Sequence, residues 1–176
     1  MRKINLDQLK LGQAGITPEV GSFMVQAAIV CLVENGHQSG VTLKVEGYFE
    51  EKIQLIWSDK INKQVLRTWR DSNETVEYGA TALSTLLLCL LADLEIYERI
   101  PPEGEADYYL QSLESKNVIA LLEVSGIWKE SKYNTPKIRM RVKKKRIEEA
   151  NKITNLPIYI VVTEFSIPKS KISKYE

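Results

Sequence analysis

Charged residues of opposite sign are segregated in the second half of this 176-residue chain. Residues 93–123 are mainly acidic and include Asp107 and Glu123, whereas residues 129–146 are mainly basic and include Arg139 and Lys143. An acidic stretch of this kind suits a metal ion, and a basic helix suits the phosphates of a nucleic acid. The formal net charge of +1, from 24 Lys and Arg against 23 Asp and Glu, is therefore a cancellation between two stretches. It does not argue against a nucleic-acid partner.

The two acidic candidates fall on neighbouring predicted strands. Asp107 comes early in a strand predicted over residues 106–111, and Glu123 comes near the end of one predicted over residues 118–125, with fifteen residues between them. Because side chains alternate along a strand with a period of two, Glu123 and Ser125 share one face.

A basic helix is predicted from Lys137 to about Lys152. On a helical wheel, Arg139, Lys143 and Arg146 fall inside its apolar arc, while Arg141, Lys144, Lys145 and Lys152 fall outside it. A cation on an apolar face must extend to solvent or find an anion. Arg139 and Lys143 are therefore candidates to meet an anion, although extension to solvent remains an alternative for both.

Further elements must position these residues. The patterns predict a core helix over residues 18–34, a β-hairpin between residues 41 and 57, and a short helix over residues 59–70. A very hydrophobic helix over residues 74–93 follows, with Asp71 and Glu74 resembling a capping box. Strands are predicted over residues 94–100 and 156–163, and the tail from residue 168 to residue 176 is expected to be frayed.

From Glu74 onward the predicted order is helix, three strands, helix, strand. This order, together with Asp107 and Glu123, resembles the PD-(D/E)xK, or restriction-endonuclease-like, nuclease superfamily over about residues 74–166. The resemblance implies an α+β (α/β) fold with an αβββαβ core, extended by the N-terminal helix and hairpin. It also implies metal-dependent hydrolysis of phosphodiester bonds in DNA.

The resemblance assigns roles to particular positions. Asp107 and Glu123 would bind Mg²⁺ or Mn²⁺ together with the carbonyl of Val124, since a hard cation that keeps several waters needs few oxygen ligands. Glu77 matches an additional acidic residue of the superfamily, although a first-turn residue favoured by the helix dipole is an equal alternative. No organic cofactor is expected.

Ser125 departs from the superfamily pattern, which has lysine two residues after the Glu. A serine supplies no cation, so either the lysine has migrated or catalysis is lost. We take Lys143 as the candidate for a relocated lysine and Arg139 as a phosphate clamp, with Lys144 and Lys145 as further phosphate contacts.

Two alternatives to a nuclease stay open. The first is a catalytically degraded nuclease-like fold that binds or regulates a protein or a nucleic acid, which Ser125 favours. The second is an α+β interaction protein in which Asp107 and Glu123 only solubilise strand ends and lie far apart.

Composition bounds the remaining possibilities. With 44% hydrophobic residues the chain can bury a core, and we expect one compact domain. Within it, residues 1–72 are expected to form an accessory region, for substrate choice or a homodimer, that packs on a core of residues 73–176.

The longest apolar run predicts a buried helix and no membrane span. The N-terminus does not resemble a signal peptide, so a cytoplasmic location is expected. Cys31 and Cys89 are expected to be reduced, and a single histidine excludes zinc sites built on several.

Overall fold

A computed structural model describes residues 1–149 and 154–176. It has an α+β architecture built on one mixed sheet of eight strands in the order β1-β3-β2-β8-β7-β6-β5-β4. The elements, besides a 3-10 helix at Leu6–Leu11, are β1 (Arg2–Asn5), α1 (Pro18–Glu34), β2 (Thr42–Gly47), β3 (Glu51–Ile56), α2 (Lys63–Thr68), α3 (Ser72–Ala92), β4 (Leu94–Arg99), β5 (Tyr108–Ser112), β6 (Val118–Ile127), α4 (Pro136–Glu149), β7 (Ile158–Glu164) and β8 (Lys169–Tyr175).

The N-terminal elements largely follow their sequence patterns. Helix α1 has the predicted bounds, and β2 and β3 form the predicted antiparallel hairpin. The helix predicted over residues 59–70 is wrong in length, because α2 covers only Lys63–Thr68 and begins where the Asn62 side chain accepts the N–H of Val65. The first strand, β1, lies parallel to β3 and was not predicted.

Helix α3 forms the centre of the core, as its apolar sequence predicts. The Asp71 carboxylate accepts the N–H groups of Asn73 and Glu74 at 2.9 and 3.3 Å and so begins the helix. Within the described residues, α3 is the one helix long and apolar enough to cross a membrane, but 67% of its most apolar window is buried in the fold. The apolar sequence of α3 is therefore explained by its position as a core helix.

Strands β4 to β7 form one side of the sheet, with antiparallel β4–β5 and β5–β6 pairs and a parallel β6–β7 pair. Their element order with α3 and α4 is the predicted one, helix, three strands, helix, strand. Helix α4 begins one residue before the predicted start, and its predicted end, including Ala150, Lys152 and Ile153, lies outside the described residues.

The prediction of a frayed tail is wrong. Residues 169–175 form β8, which pairs antiparallel with β7 and parallel with β2. Its Ser170 and Ile172 are buried, and the hydroxyls of Ser170 and Thr163 are 2.7 Å apart. Strand β8 thereby joins the N-terminal hairpin to the rest of the sheet.

The two faces of the sheet carry different packing. Ala120, Leu122 and Val124 of β6 face the main core, which contains α1 and α3. Leu121 and Ile127 face the other side, where Met140 and Ile147 of α4 pack. Since side chains alternate, Glu123 and Ser125 point to the α4 side.

The two cysteines, Cys31 and Cys89, are unpaired, as expected.

Candidate functional site

The site lies where β5 and β6 separate. Their pairing ends at Tyr108 opposite Leu122, whereas β6 continues to Ile127. Asp107, which the sequence placed inside the strand, instead immediately precedes β5. Its N–H donates to the Leu122 carbonyl at 2.9 Å, and its Oδ2 accepts the N–H of Val124 at 2.7 Å. The Asp107 carboxylate thus replaces a backbone partner and opens a cleft at the edge of β6.

The backbone of Val124 is oriented by the same hydrogen bond. In an extended strand the N–H and C=O of one residue point to the same side. The Val124 carbonyl therefore lies on the β6 edge that faces Asp107, which is the position the predicted ligand set requires.

Glu123 and Lys143 form a close ion pair. The Lys143 Nζ lies 2.5 Å from Glu123 Oε1, and the two side chains are only 17% and 13% exposed. Lys143 reaches Glu123 because Met140 and Ile147 anchor α4 on this face of the sheet. The helical wheel and the superfamily resemblance made Lys143 a candidate for a relocated lysine, and the structure places its ammonium group against Glu123.

The electrostatics of the pair are set by burial and a second carboxylate. Desolvation and the charge of Asp107 raise the pKa of Glu123, while Lys143 and Arg146 act in the opposite direction. The geometry also places the two carboxylates near each other, because Asp107 is bonded to the N–H of Val124, the residue after Glu123, and both line a common cavity. The alternative in which they are distant, unrelated surface residues is not favoured.

Arg139 lies on α4, and Asn134 holds its guanidinium group. Its Nε and Nη2 donate to Asn134 Oδ1 at 3.3 and 2.9 Å, and its Nη1 lies 3.5 Å from Ser125 Oγ. Ser125 is buried. A side chain as long as lysine at that position would meet this guanidinium, which gives a physical reason for the short residue.

Two cavities flank these residues. A cavity of about 490 Å³ is lined by Asp107, Ser125, Arg139 and Lys143, and also by Glu77 and Thr81 of α3. A second cavity of about 350 Å³ is lined by Asp107, Glu123 and Lys143. Exposed Glu77 thus shares a cavity with Asp107, but no hydrogen bond between their side chains is present in the described residues.

Two cations at the site were not among the predicted site residues. Arg99, at the end of β4, lines both cavities and lies 5.9 Å from the centre of the Tyr108 ring. Arg146, one turn beyond Lys143, lines the smaller cavity. The position of Arg146 on the apolar arc was the signal for it, whereas nothing in the pattern of β4 distinguished Arg99.

Lys144 and Lys145 lie elsewhere. Both are exposed, and neither lines the cavities that contain Asp107. Lys144 lies 4.7 Å from the centre of the Tyr175 ring, and Lys145 pairs with Glu149 at 3.6 Å. The structure does not bring them to the candidate site.

The donor set suits a hard cation with few protein ligands. Asp107 and Glu123 each use one carboxylate oxygen in the hydrogen bonds found among the described residues, and the Val124 carbonyl lies on the adjacent strand edge. Across residues 1–149 and 154–176 there is no preassembled group of three or more His, Cys, Asp or Glu side chains. A Mg²⁺ or Mn²⁺ ion that keeps several waters fits such a set, whereas Zn²⁺ with four protein ligands does not.

Comparisons with protein-family models, with curated proteins and with solved structures found no significant match to this chain.

Proposed function

We propose that the chain is a divergent member of the PD-(D/E)xK superfamily that hydrolyses phosphodiester bonds of DNA with Mg²⁺ or Mn²⁺. The observation that carries the proposal is the contact of Lys143 with Glu123 beside Asp107, at an open strand edge. A lysine supplied by α4 would take the role of the missing lysine at Ser125. The helix-strand order of residues 72–164 supports a restriction-endonuclease-like core.

The proposal gives roles to four side chains and one backbone carbonyl of the site. Asp107 and Glu123, with the Val124 carbonyl, would hold the metal ion, and the ion would activate water and neutralise charge on the leaving oxygen. Lys143 orients the attacking water and stabilises the negative charge that develops on it. Arg139, fixed by Asn134, binds a phosphate oxygen.

Plasmid nicking tests the proposal. With Mg²⁺ or Mn²⁺, we expect nicking by the natural protein and a fall of roughly 100-fold or more in Glu123→Ala and in Lys143→Ala, as for loss of proton-transfer or charge-stabilising groups. Glu114→Ala and Lys52→Ala are matched controls, because both residues are exposed and line neither cavity. Equal nicking by Glu123→Ala and the natural protein would indicate a contaminating nuclease and refute the assignment.

A second candidate function is a nuclease-like binding module without catalysis. The ion pair between Glu123 and Lys143 favours it, because Lys143 already contacts a carboxylate oxygen of Glu123 without a metal ion. In that case the natural protein would bind a protein or a nucleic acid, take up no divalent metal and leave the plasmid intact.

A further inference from the structure

A third cavity, of about 450 Å³, lies between α1, α2 and the segment after β6. Its wall includes Val30 of α1, Leu66 of α2 and the two tryptophans Trp69 and Trp128. Neither hydrolysis nor metal binding in the proposed function uses it. We call it the α2 cavity.

The rim of the α2 cavity is basic. Lys63, Arg67 and Arg70 line it, and all three are exposed. None of the three forms an ion pair within the described ranges. Glu34 is the acidic residue in the lining, so the cavity has an excess of positive charge. Lys63 and Arg67 are four residues apart on α2 and therefore share one helix face.

The floor of the α2 cavity is aromatic. Trp69 is buried and donates its indole N–H to Gln26 Oε1 at 2.8 Å, which fixes its ring. Trp128 is half-buried, and its carbonyl accepts the side-chain amide of Asn35 at 3.2 Å. Aromatic rings beside unpaired cations are the arrangement that binds unpaired bases and their phosphates in single-stranded nucleic acids.

The α2 cavity adjoins the candidate active site. Ser72 and Trp128 line both this cavity and the 490 Å³ cavity that contains Asp107 and Arg139. We propose that a single-stranded segment of the DNA substrate passes from the active site over Trp128, with its phosphates bound by Lys63, Arg67 and Arg70. A base within a duplex is already stacked on both faces, so Trp128 selects an unpaired one. This inference rests on the proposed function, since the bound strand is the substrate of that site.

Binding of a fluorescently labelled ten-residue oligothymidylate tests the inference, measured by anisotropy in EDTA so that no metal-dependent step takes part. The variant Arg67→Ala/Arg70→Ala should bind about tenfold more weakly, and its plot of log K against log salt should be shallower by about 1.4, as for two lost single-strand phosphate contacts. Lys3→Ala/Lys52→Ala removes the same charge from exposed positions of β1 and β3 outside these cavities and should change binding less than about twofold.

Tryptophan fluorescence tests the stacking. The oligothymidylate should quench the natural protein, and Trp128→Phe, which keeps an aromatic ring for packing, should lose most of that quenching. Equal weakening in the two double variants, unchanged quenching in Trp128→Phe, or equally tight binding of a duplex of the same length would overturn the inference.

The outcomes also separate the two proposals. Weaker binding by Arg67→Ala/Arg70→Ala in a protein that nicks no plasmid would sustain the α2 cavity as a strand-binding site and refute the nuclease function. Metal-dependent nicking, with the two double variants binding alike, would sustain the nuclease function and refute the α2 cavity as a strand-binding site.

Discussion

At the residue scale, the proposed site has Ser125 where the superfamily pattern would have lysine, and we propose that Lys143 takes the place of that lysine. The superfamily pattern puts lysine on the face of the strand that Glu123 occupies, and here that space holds the guanidinium of Arg139, 3.5 Å from Ser125 Oγ. The cation next to Glu123 comes instead from α4, at 2.5 Å. A sequence search for lysine two residues after Glu would therefore miss this arrangement, although the helical periodicity of residues 138–153 indicates it.

The raised pKa of Glu123 gives a pH-dependent prediction. The folded state holds the proton of Glu123 more tightly than the unfolded state, so protonation of Glu123 stabilises the fold. This stabilisation is fully present below the pKa of Glu123 in the unfolded state, and it is lost as the pH rises through the pKa of Glu123 in the folded state. Glu123→Gln cannot ionise and keeps an acceptor for Lys143. In the absence of metal, it should therefore melt above the natural protein at pH 7, by roughly 2–4 °C for each kcal/mol gained in a chain of this size.

The difference in melting temperature should shrink as pH falls toward the ordinary range of a glutamic acid. Thermal unfolding followed by circular dichroism at pH 4 and pH 7 measures it. Glu114→Gln, at an exposed turn, should show little difference at either pH. A Glu123→Gln variant that is less stable than the natural protein at pH 7 would mean that the Lys143 ion pair outweighs burial and the repulsion from Asp107.

At the element scale, the contact between α3 and β6 shapes the 490 Å³ cavity of the candidate site. A Cβ on Gly126 would lie 2.3 Å from Val76 Cγ1 and 2.6 Å from the Val76 carbonyl oxygen. Gly126 and Val76 both line the 490 Å³ cavity. The absence of a side chain at Gly126 therefore lets α3 approach β6 and brings Glu77 to the cavity.

Gly126→Ala should push α3 away from β6. We expect a loss of about 1–3 kcal/mol in the free energy of unfolding, as for other overpacked core positions. Urea denaturation measures it, with Ile119→Ala at an exposed position of the same strand as the control. A Gly126→Ala variant as stable as the natural protein would show that α3 moves without cost.

The elements also show which parts of the fold can be predicted from sequence patterns. The apolar helices α1 and α3 and the strands β4 to β7 have strong periodicity, and their existence and order follow from it. The sequence of β8 gives only a weak strand signal, because one of its two buried residues, Ser170, is polar and Ile172 is the one buried apolar residue; its pairing with β2 and β7 makes it a strand. At the site, Asp107, Glu123, Arg139 and Lys143 follow from pattern and resemblance, whereas Arg99 depends on how β4 pairs with β5.

At the scale of the whole molecule, one continuous sheet links the predicted accessory region to the predicted core through the β2–β8 pair. Residue 72, at the predicted boundary, begins α3 and lines both the 490 Å³ cavity of the candidate site and the α2 cavity. The segment before the boundary thus contributes Lys63, Arg67 and Arg70 to a surface next to the site. A role of residues 1–72 in substrate choice stays a prediction, as does a homodimer.

Calorimetric titration with Mn²⁺ at pH 7.5 tests the central claim most directly, because the nuclease function requires a divalent ion at Asp107 and Glu123 and the binding-module function does not. We predict one site per chain in the natural protein and in Glu114→Gln, and no measurable heat of binding in Asp107→Asn. Circular dichroism verifies that the Asp107→Asn variant is folded. Absence of Mn²⁺ binding by the natural protein, or equal binding by the folded Asp107→Asn variant, would contradict the account.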